Sequence, residues 1–195
     1  MMLSTGDRGH GRVQWLLRAP GMALALAWGA AEGSFFFIVP DVITSMTALF
    51  SVKKSLLQML FVTGGSLAAG FFLFQWSQAD HHAARNAIAR VPFVRESMFL
   101  EVQQDFTAYG ARALLVGPTQ GIPYKVYAIE APGRCPLLLF LAVSIPARLE
   151  RLLLSWIVFA AAGYALRKLR SWPGIAVAFH ASYWTIVYVY YWTVI

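Results

Sequence analysis

Residues 31–42, Ala-Glu-Gly-Ser-Phe-Phe-Phe-Ile-Val-Pro-Asp-Val, place two carboxylates, a glycine and a proline inside an otherwise apolar run. A charged side chain at the centre of a bilayer costs about 2.5–3.5 kcal/mol on insertion scales, so an acid at that depth needs a partner, a proton or water. A second run is broken in the same manner by Gly117, Pro118, Gly121, Pro123 and Pro132. Proline within a helix removes a hydrogen bond and crowds the preceding turn, so neither run is expected to be one straight helix.

The medium of these runs follows from composition. Of 195 residues, 58% are hydrophobic and 13% charged; a soluble domain carries about 25% charged residues. The net charge of +7 belongs mostly to Lys and Arg flanking apolar segments, where membrane topology places them, and nucleic acid is not an expected partner. A single cysteine, Cys135, excludes an internal disulfide and a cysteine metal cage. No nucleophile–base set, phosphate loop or metal-ligand spacing is present, so neither an enzyme nor a bound cofactor is expected. Arg8, Arg12 and Arg18 ahead of an apolar stretch resemble a secretion signal. The stretch continues to Val39, past the small-residue cleavage point, and a retained segment is expected.

The expected fold is all-α and membrane-integral. Residues 1–20 form a polar lead and residues 21–195 one membrane domain. About 20 apolar residues are needed to cross a bilayer. Residues 21–52, bent at Pro40-Asp41, read as a re-entrant hairpin, and 55–76 as a span. A polar loop with His81-His82 and an amphipathic helix follow over 77–110, its apolar face bearing Val94, Met98, Val102, Phe106 and Tyr109. Residues 111–133 form a second hairpin; 136–168, interrupted near Pro146, and 174–195 are further spans. The last ends in an aromatic belt of Tyr188, Tyr190, Tyr191 and Trp192. Gly65 with Ala69, and Ser66 with Gly70, are spaced for close helix packing.

Charge counting favours the first hairpin. If 21–52 returns to its own side, Arg8, Arg12, Arg18, Lys53, Lys54, Arg167, Lys168 and Arg170 share that side against Arg85, Arg90 and Arg95. A crossing at 21–39 would divide the charges almost evenly, against the positive-inside rule. Two hairpin-plus-span units of opposite orientation make an inverted repeat, with about three transmembrane helices in all.

The candidate site residues are the charges lodged in or beside the broken runs. Arg148 and Arg151 lie three apart, on one helix face, and two guanidiniums can grip a phosphate by forked hydrogen bonds. Lys125 reaches a headgroup or snorkels to the interface, and Arg112 bounds the second broken run. Glu32 must be paired with an arginine, protonated or wet. Asp41, after Pro40, suits a helix N-cap, a functional acid, or both; Glu130 is the third acid. His180 reads as a packing histidine.

At these residues the chain resembles the DedA family, also known by its VTT or SNARE-associated domain, and is most similar to its short bacterial branch. The family motif A-E-S-S-F-F-P-I-P-P-D-V matches residues 31–42, P-I-P-Y-K-V-F-T-I-A-A-G matches 121–133 with one extra residue before the last glycine, and S-L-I-G-R-G-L-R-F matches 144–152. Phe37 and Val39 stand where prolines are usual, Ala147 replaces a glycine, Pro146 is added, and Glu130 replaces a small residue. The resemblance implies two opposed re-entrant hairpins in a multi-pass protein of the bacterial plasma membrane. It also implies movement of phospholipid or polyprenyl-phosphate carriers between leaflets, linked in some members to the proton motive force. The functional acids carry over to Glu32 and Asp41, and the basic pair to Arg148 and Arg151. The expected partners are lipid phosphate headgroups and protons, with self-association left open. The alternatives are a proton- or ion-coupled small-solute transporter, a membrane assembly factor that transports nothing, and a membrane enzyme acting on lipid phosphates.

Overall fold

The structure, a computed structural model, describes residues 14–169 and 171–194; Arg8, Arg12, Arg170 and most of the N-terminal lead lie outside them, as do the side chains of Tyr191 and Trp192. Every regular element among the described residues is helical. Besides short 3-10 helices at Gln14–Leu17 and Gly110–Arg112, the α-helices in order are α1 (Ala19–Ser34), α2 (Asp41–Phe50), α3 (Val52–Ala79), α4 (His81–Ala89), α5 (Glu96–Tyr109), α6 (Ala113–Gln120), α7 (Tyr124–Glu130), α8 (Leu137–Leu166) and α9 (Trp172–Val194). The chain divides into two compact units. One holds the described residues up to Ala25, Pro40–Phe61 and those from Leu152 onward; the other holds Leu26–Val39 and Val62–Arg151.

In the first unit, Pro40 occupies the N-cap of α2 and makes no side-chain cap. The expected Asp41 cap is therefore not formed: Asp41 is already inside the first turn, where its charge favours the helix dipole. Its Oδ1 accepts the Ser155 hydroxyl at 2.8 Å. One residue, Ser51, separates α2 from α3, closing the first by donating its N–H to the Thr47 carbonyl at 2.7 Å. Its hydroxyl then accepts the N–H of Lys54. The core here gathers around Phe159 of α8, fully buried against Leu49 and the rings of Trp184 and Tyr183. Gly163 permits it, because a side chain there would strike the Leu49 backbone. His180 lies 2.9 Å from the Val42 carbonyl and 3.0 Å from the Ser45 hydroxyl. A carbonyl only accepts, so His180 Nε2 donates, and the residue is a satisfied packing histidine as expected.

In the second unit, α1 approaches α3 backbone to backbone. A Cβ on Gly29 would meet the Val62 main chain, and one on Gly65 the main chain of Leu26 and Ala30. The small residues at 65 and 66 thus serve close packing, as their spacing suggests. The second broken run forms a pair of short packed helices, α6 and α7, joined through Gly121, Ile122 and Pro123. Gly121 closes α6 in the left-handed region at φ +74°, with its N–H on the Gly117 carbonyl. All seven residues of α7 are buried, and a helix buried all round is a core element. Leu73, Ile88, Phe99, Val102, Phe106 and Phe140 belong to the core that encloses it.

Four expectations change. The polar loop at 77–92 is helical for much of its length: α3 runs on to Ala79, and Asp80 caps α4 by accepting the Ala83 N–H at 2.9 Å. On α5, Met98, Val102 and Phe106 are buried as the spacing predicts, joined by Phe99 and Asp105, while Tyr109 is exposed. The break near Pro146 is absent, and α8 continues through it for 30 residues. Finally, α3 is the one helix among the described residues that is long and apolar enough to cross a membrane. Its 28 residues span about 42 Å at 1.5 Å per residue. Arg148, Glu150 and Arg151 interrupt the apolar character of α8, and tyrosine, tryptophan and histidine dilute that of the uncharged α9.

Candidate functional site

Four of the predicted residues converge in the second unit: Glu32 from α1, Lys125 from α7, and Arg148 and Arg151 from α8. The helix crossing at Gly29 and Gly33 brings the last turns of α1 against α3, and this sets Glu32 beside Ser66. Glu32 is 4% exposed and Arg148 7%. Arg148 Nη2 donates to Glu32 Oε2, and also to the Ser66 hydroxyl at 3.1 Å. Ser66 in turn donates to the Gly29 carbonyl at 3.1 Å. Arg151 Nη2 is 3.9 Å from the other carboxylate oxygen, with a third of its side chain exposed.

Two further contacts hold the arginine. Its guanidinium lies 5.1 Å from the centre of the Tyr124 ring, a cation–π distance. Tyr124 is fixed by donating its hydroxyl to Ser144 at 3.1 Å and by stacking on Phe140 at 5.7 Å. Gly70 leaves room for that hydroxyl, because any side chain there would occupy its place. Arg148 Nε is buried without an acceptor.

Lys125 does not snorkel. It is 2% exposed, and Nζ donates to the Phe36 carbonyl at 2.7 Å, in the non-helical segment after α1. That segment is further pinned by Trp28, whose ring N–H donates to the Ile38 carbonyl at 2.9 Å. A short lysine-to-carbonyl bond from a fully enclosed α7 leaves the ammonium no route to an interface. It sits within electrostatic reach of Glu32, Arg148 and Arg151. The group therefore sets three cations against one carboxylate.

Beside the cluster opens a cleft of about 360 Å³, counting its mouth. Tyr124, Tyr127, Arg148 and Arg151 give it polar lining, and Leu114, Ile122 and Ala147 apolar lining. No known protein family, curated protein or solved structure matches the chain. The cleft's chemistry is thus read from its own residues: donors and positive charge together with hydrocarbon.

The remaining predicted residues are placed elsewhere. Arg112 is exposed in the turn before α6 and forms none of the cluster's hydrogen bonds or ion pairs. Asp41 belongs to the first unit, bonded to Ser155. Glu130, fully buried at the far end of α7 from Lys125, has its own partners: Arg134, Arg85, Gln103 and His81. His81 is therefore engaged, not a solvated loop residue. Tyr124 and Ser66 were missing from the predicted site. Tyr124 had a signal, standing next to Lys125 in the broken run; Ser66 had shown only as a small packing residue. Among the described residues no group of three acid, histidine or cysteine side chains is arranged for a metal. Cys135 is buried, and burial pushes its thiol up, away from the reactive thiolate.

Proposed function

We propose that the protein is embedded in the bacterial plasma membrane and carries phosphate-bearing lipids between leaflets through the cleft at Arg148 and Arg151. One observation carries the reading: a buried carboxylate–guanidinium pair, outnumbered by cations, whose arginine lines a cleft of mixed polar and apolar walls. Guanidinium matches phosphate geometry by paired N–H donors, and Arg148 Nε is a buried donor that lacks an acceptor. A phosphate oxygen would supply one. In exchange Glu32 would give up Arg148 or Arg151, by taking a proton or by turning to Lys125. The acyl or prenyl tail would lie against the apolar side chains of the lining, Leu114, Ile122 and Ala147.

Membrane embedding is supported by the long apolar α3 and by large exposed side chains on the long helices. Leu60 and Phe72 on α3, Leu138 and Leu154 on α8 and Ile186 on α9 are all more than half exposed, side chains that a bilayer would cover. The resemblance of residues 31–42, 121–133 and 144–152 to the DedA motifs supports the same function, and the re-entrant nature of the two broken runs belongs to this proposal.

The test is leaflet exchange in vesicles containing the purified protein, with fluorescent phospholipids and a fluorescent polyprenyl phosphate. Exchange well above empty vesicles is expected, and its loss in Arg151→Gln, whose side chain is exposed enough to tolerate the change. Wild-type vesicles no faster than empty ones, or unchanged exchange by folded Arg151→Gln and Glu32→Gln proteins, would refute the proposal. A parallel fall in abundance and activity would point to an assembly role.

A further inference from the structure

We propose that His81 and Glu130 form a proton-binding site that ties α4 and α3 to α7 when occupied. The site lies apart from the Arg148 cleft and does not depend on the transport reading. Its logic starts at Ser77, near the end of α3. The Ser77 hydroxyl lies 2.7 Å from the Ile129 carbonyl, which can only accept, so the single hydroxyl proton is committed there. His81 Nδ1 is 2.9 Å from the same hydroxyl oxygen. With that oxygen's proton spent, Nδ1 must donate. The neutral ring then has a bare Nε2.

That bare nitrogen faces Glu130 Oε1 at 3.6 Å. Glu130 is fully buried, and Oε1 receives no hydrogen bond. Its other oxygen is well supplied, by Gln103 Nε2 at 2.9 Å and Arg134 Nη1 at 3.1 Å. Two lone-pair atoms therefore oppose one another across a gap too long for a hydrogen bond. A proton arriving at Nε2 makes a donor where none existed and supplies the one bond that Oε1 lacks. Only an N–H bond forms on the protein; the proton leaves water or a buffer acid. The His81 side chain is 42% exposed, which provides the way in.

The surrounding charges are accounted for. From α4, Arg85 Nη1 stands 3.9 Å from Glu130 Oε1, but its Nη2 is engaged by Glu96 and its guanidinium lies over the Phe99 ring. The His82 ring is 6.5 Å from His81, centre to centre, and Asp80 is occupied in capping α4. From α5, Asp105 accepts the Tyr127 hydroxyl at 2.7 Å and Glu101 is exposed. From α7, Lys125 points to Phe36. Arg134, after α7, also donates to the Glu130 carbonyl at 2.8 Å. Glu130 Oε1 is thus the acceptor left for a new donor.

The experiment is nitrogen NMR of the full chain in lipid nanodiscs, with ¹⁵N-labelled histidine rings and His81 assigned by its loss in His81→Gln. Between pH 8 and pH 5 imidazole changes charge. The neutral His81 ring is expected to carry its proton on Nδ1, and acidification to add the second at Nε2. In Glu130→Gln the doubly protonated ring loses the carboxylate that accepts from Nε2, and its Nε2 signal is expected to move. In Ser77→Ala the fixed tautomer becomes a mixture. A neutral His81 protonated on Nε2 in the unsubstituted protein overturns the proposal, and needs no variant to fold. So does an unchanged Nε2 signal of the doubly protonated ring in Glu130→Gln.

Discussion

Removing the Arg148 side chain should be among the most destabilising single changes in the second unit, and its size can be worked out. In Arg148→Ala, Glu32 keeps its burial but loses its bonded partner; Arg151 at 3.9 Å and the more distant Lys125 are the cations that remain. Breaking a buried ion pair from one side costs about 3–5 kcal/mol, because the stranded charge is desolvated without return. For a chain of this length, about 2–4 °C of Tm accompanies each kcal/mol, giving a fall of about 6–20 °C. Thermal unfolding of the purified protein in mild detergent reads this directly. The companion measurement is the double variant Glu32→Gln, Arg148→Gln, in which no charge is stranded. It should lie above the sum of its single variants by about 1 kcal/mol or more, the signature of coupled residues. A Tm within 2 °C of the parent for Arg148→Ala, or strict additivity in the double variant, would refute the view that this pair is buried and mutually dependent.

Glycines in the second unit provide a paired comparison. Gly29→Val drives a branched side chain into the Val62 backbone, which cannot give way as a flexible side chain can, and should cost at least the about 1–3 kcal/mol of overpacking. Gly64→Ala meets only the end of Leu26 at 3.9 Å and should gain up to about 1 kcal/mol of helix propensity; Tm measurements on both decide the matter. Cys135 should react slowly with a maleimide at neutral pH in the folded protein and rapidly once unfolded. Fast labelling of folded protein would contradict its burial.

Much of this architecture could be read from local chemistry. The bends at Pro40 and at Gly121–Pro123 were legible because proline and left-handed glycine act on the backbone directly. That Glu32 needed a cation, a proton or water was legible too, since a lone carboxylate in an apolar run cannot stay charged. Which cation was harder: Arg148 is 116 residues away, and only tertiary packing selects it. Helix α4 escaped because its buried face rests on Ala84 and Ile88 alone, too little apolar area to stand out beside His81, His82 and Arg85. Its cap, Asp80, was the signal to follow. Pro146 misled in the other direction, since a proline removes one donor and a long packed helix can tolerate that loss. The ring around Glu130 comes from α4, α5 and the turn after α7; Arg134, four residues on, was the one partner visible along the chain.

The seven-residue α7 has an implication of its own. Lys125 and Glu130 are five residues apart, so they project about 7.5 Å apart along the axis and roughly 140° apart around it. With no residue facing outward, this short rod behaves like an axle sealed in its bearing. It cannot turn or slide at one end without moving the other. A tug on the carboxylate at its foot would be felt by the ammonium at its head, and through that ammonium by the carbonyl of Phe36.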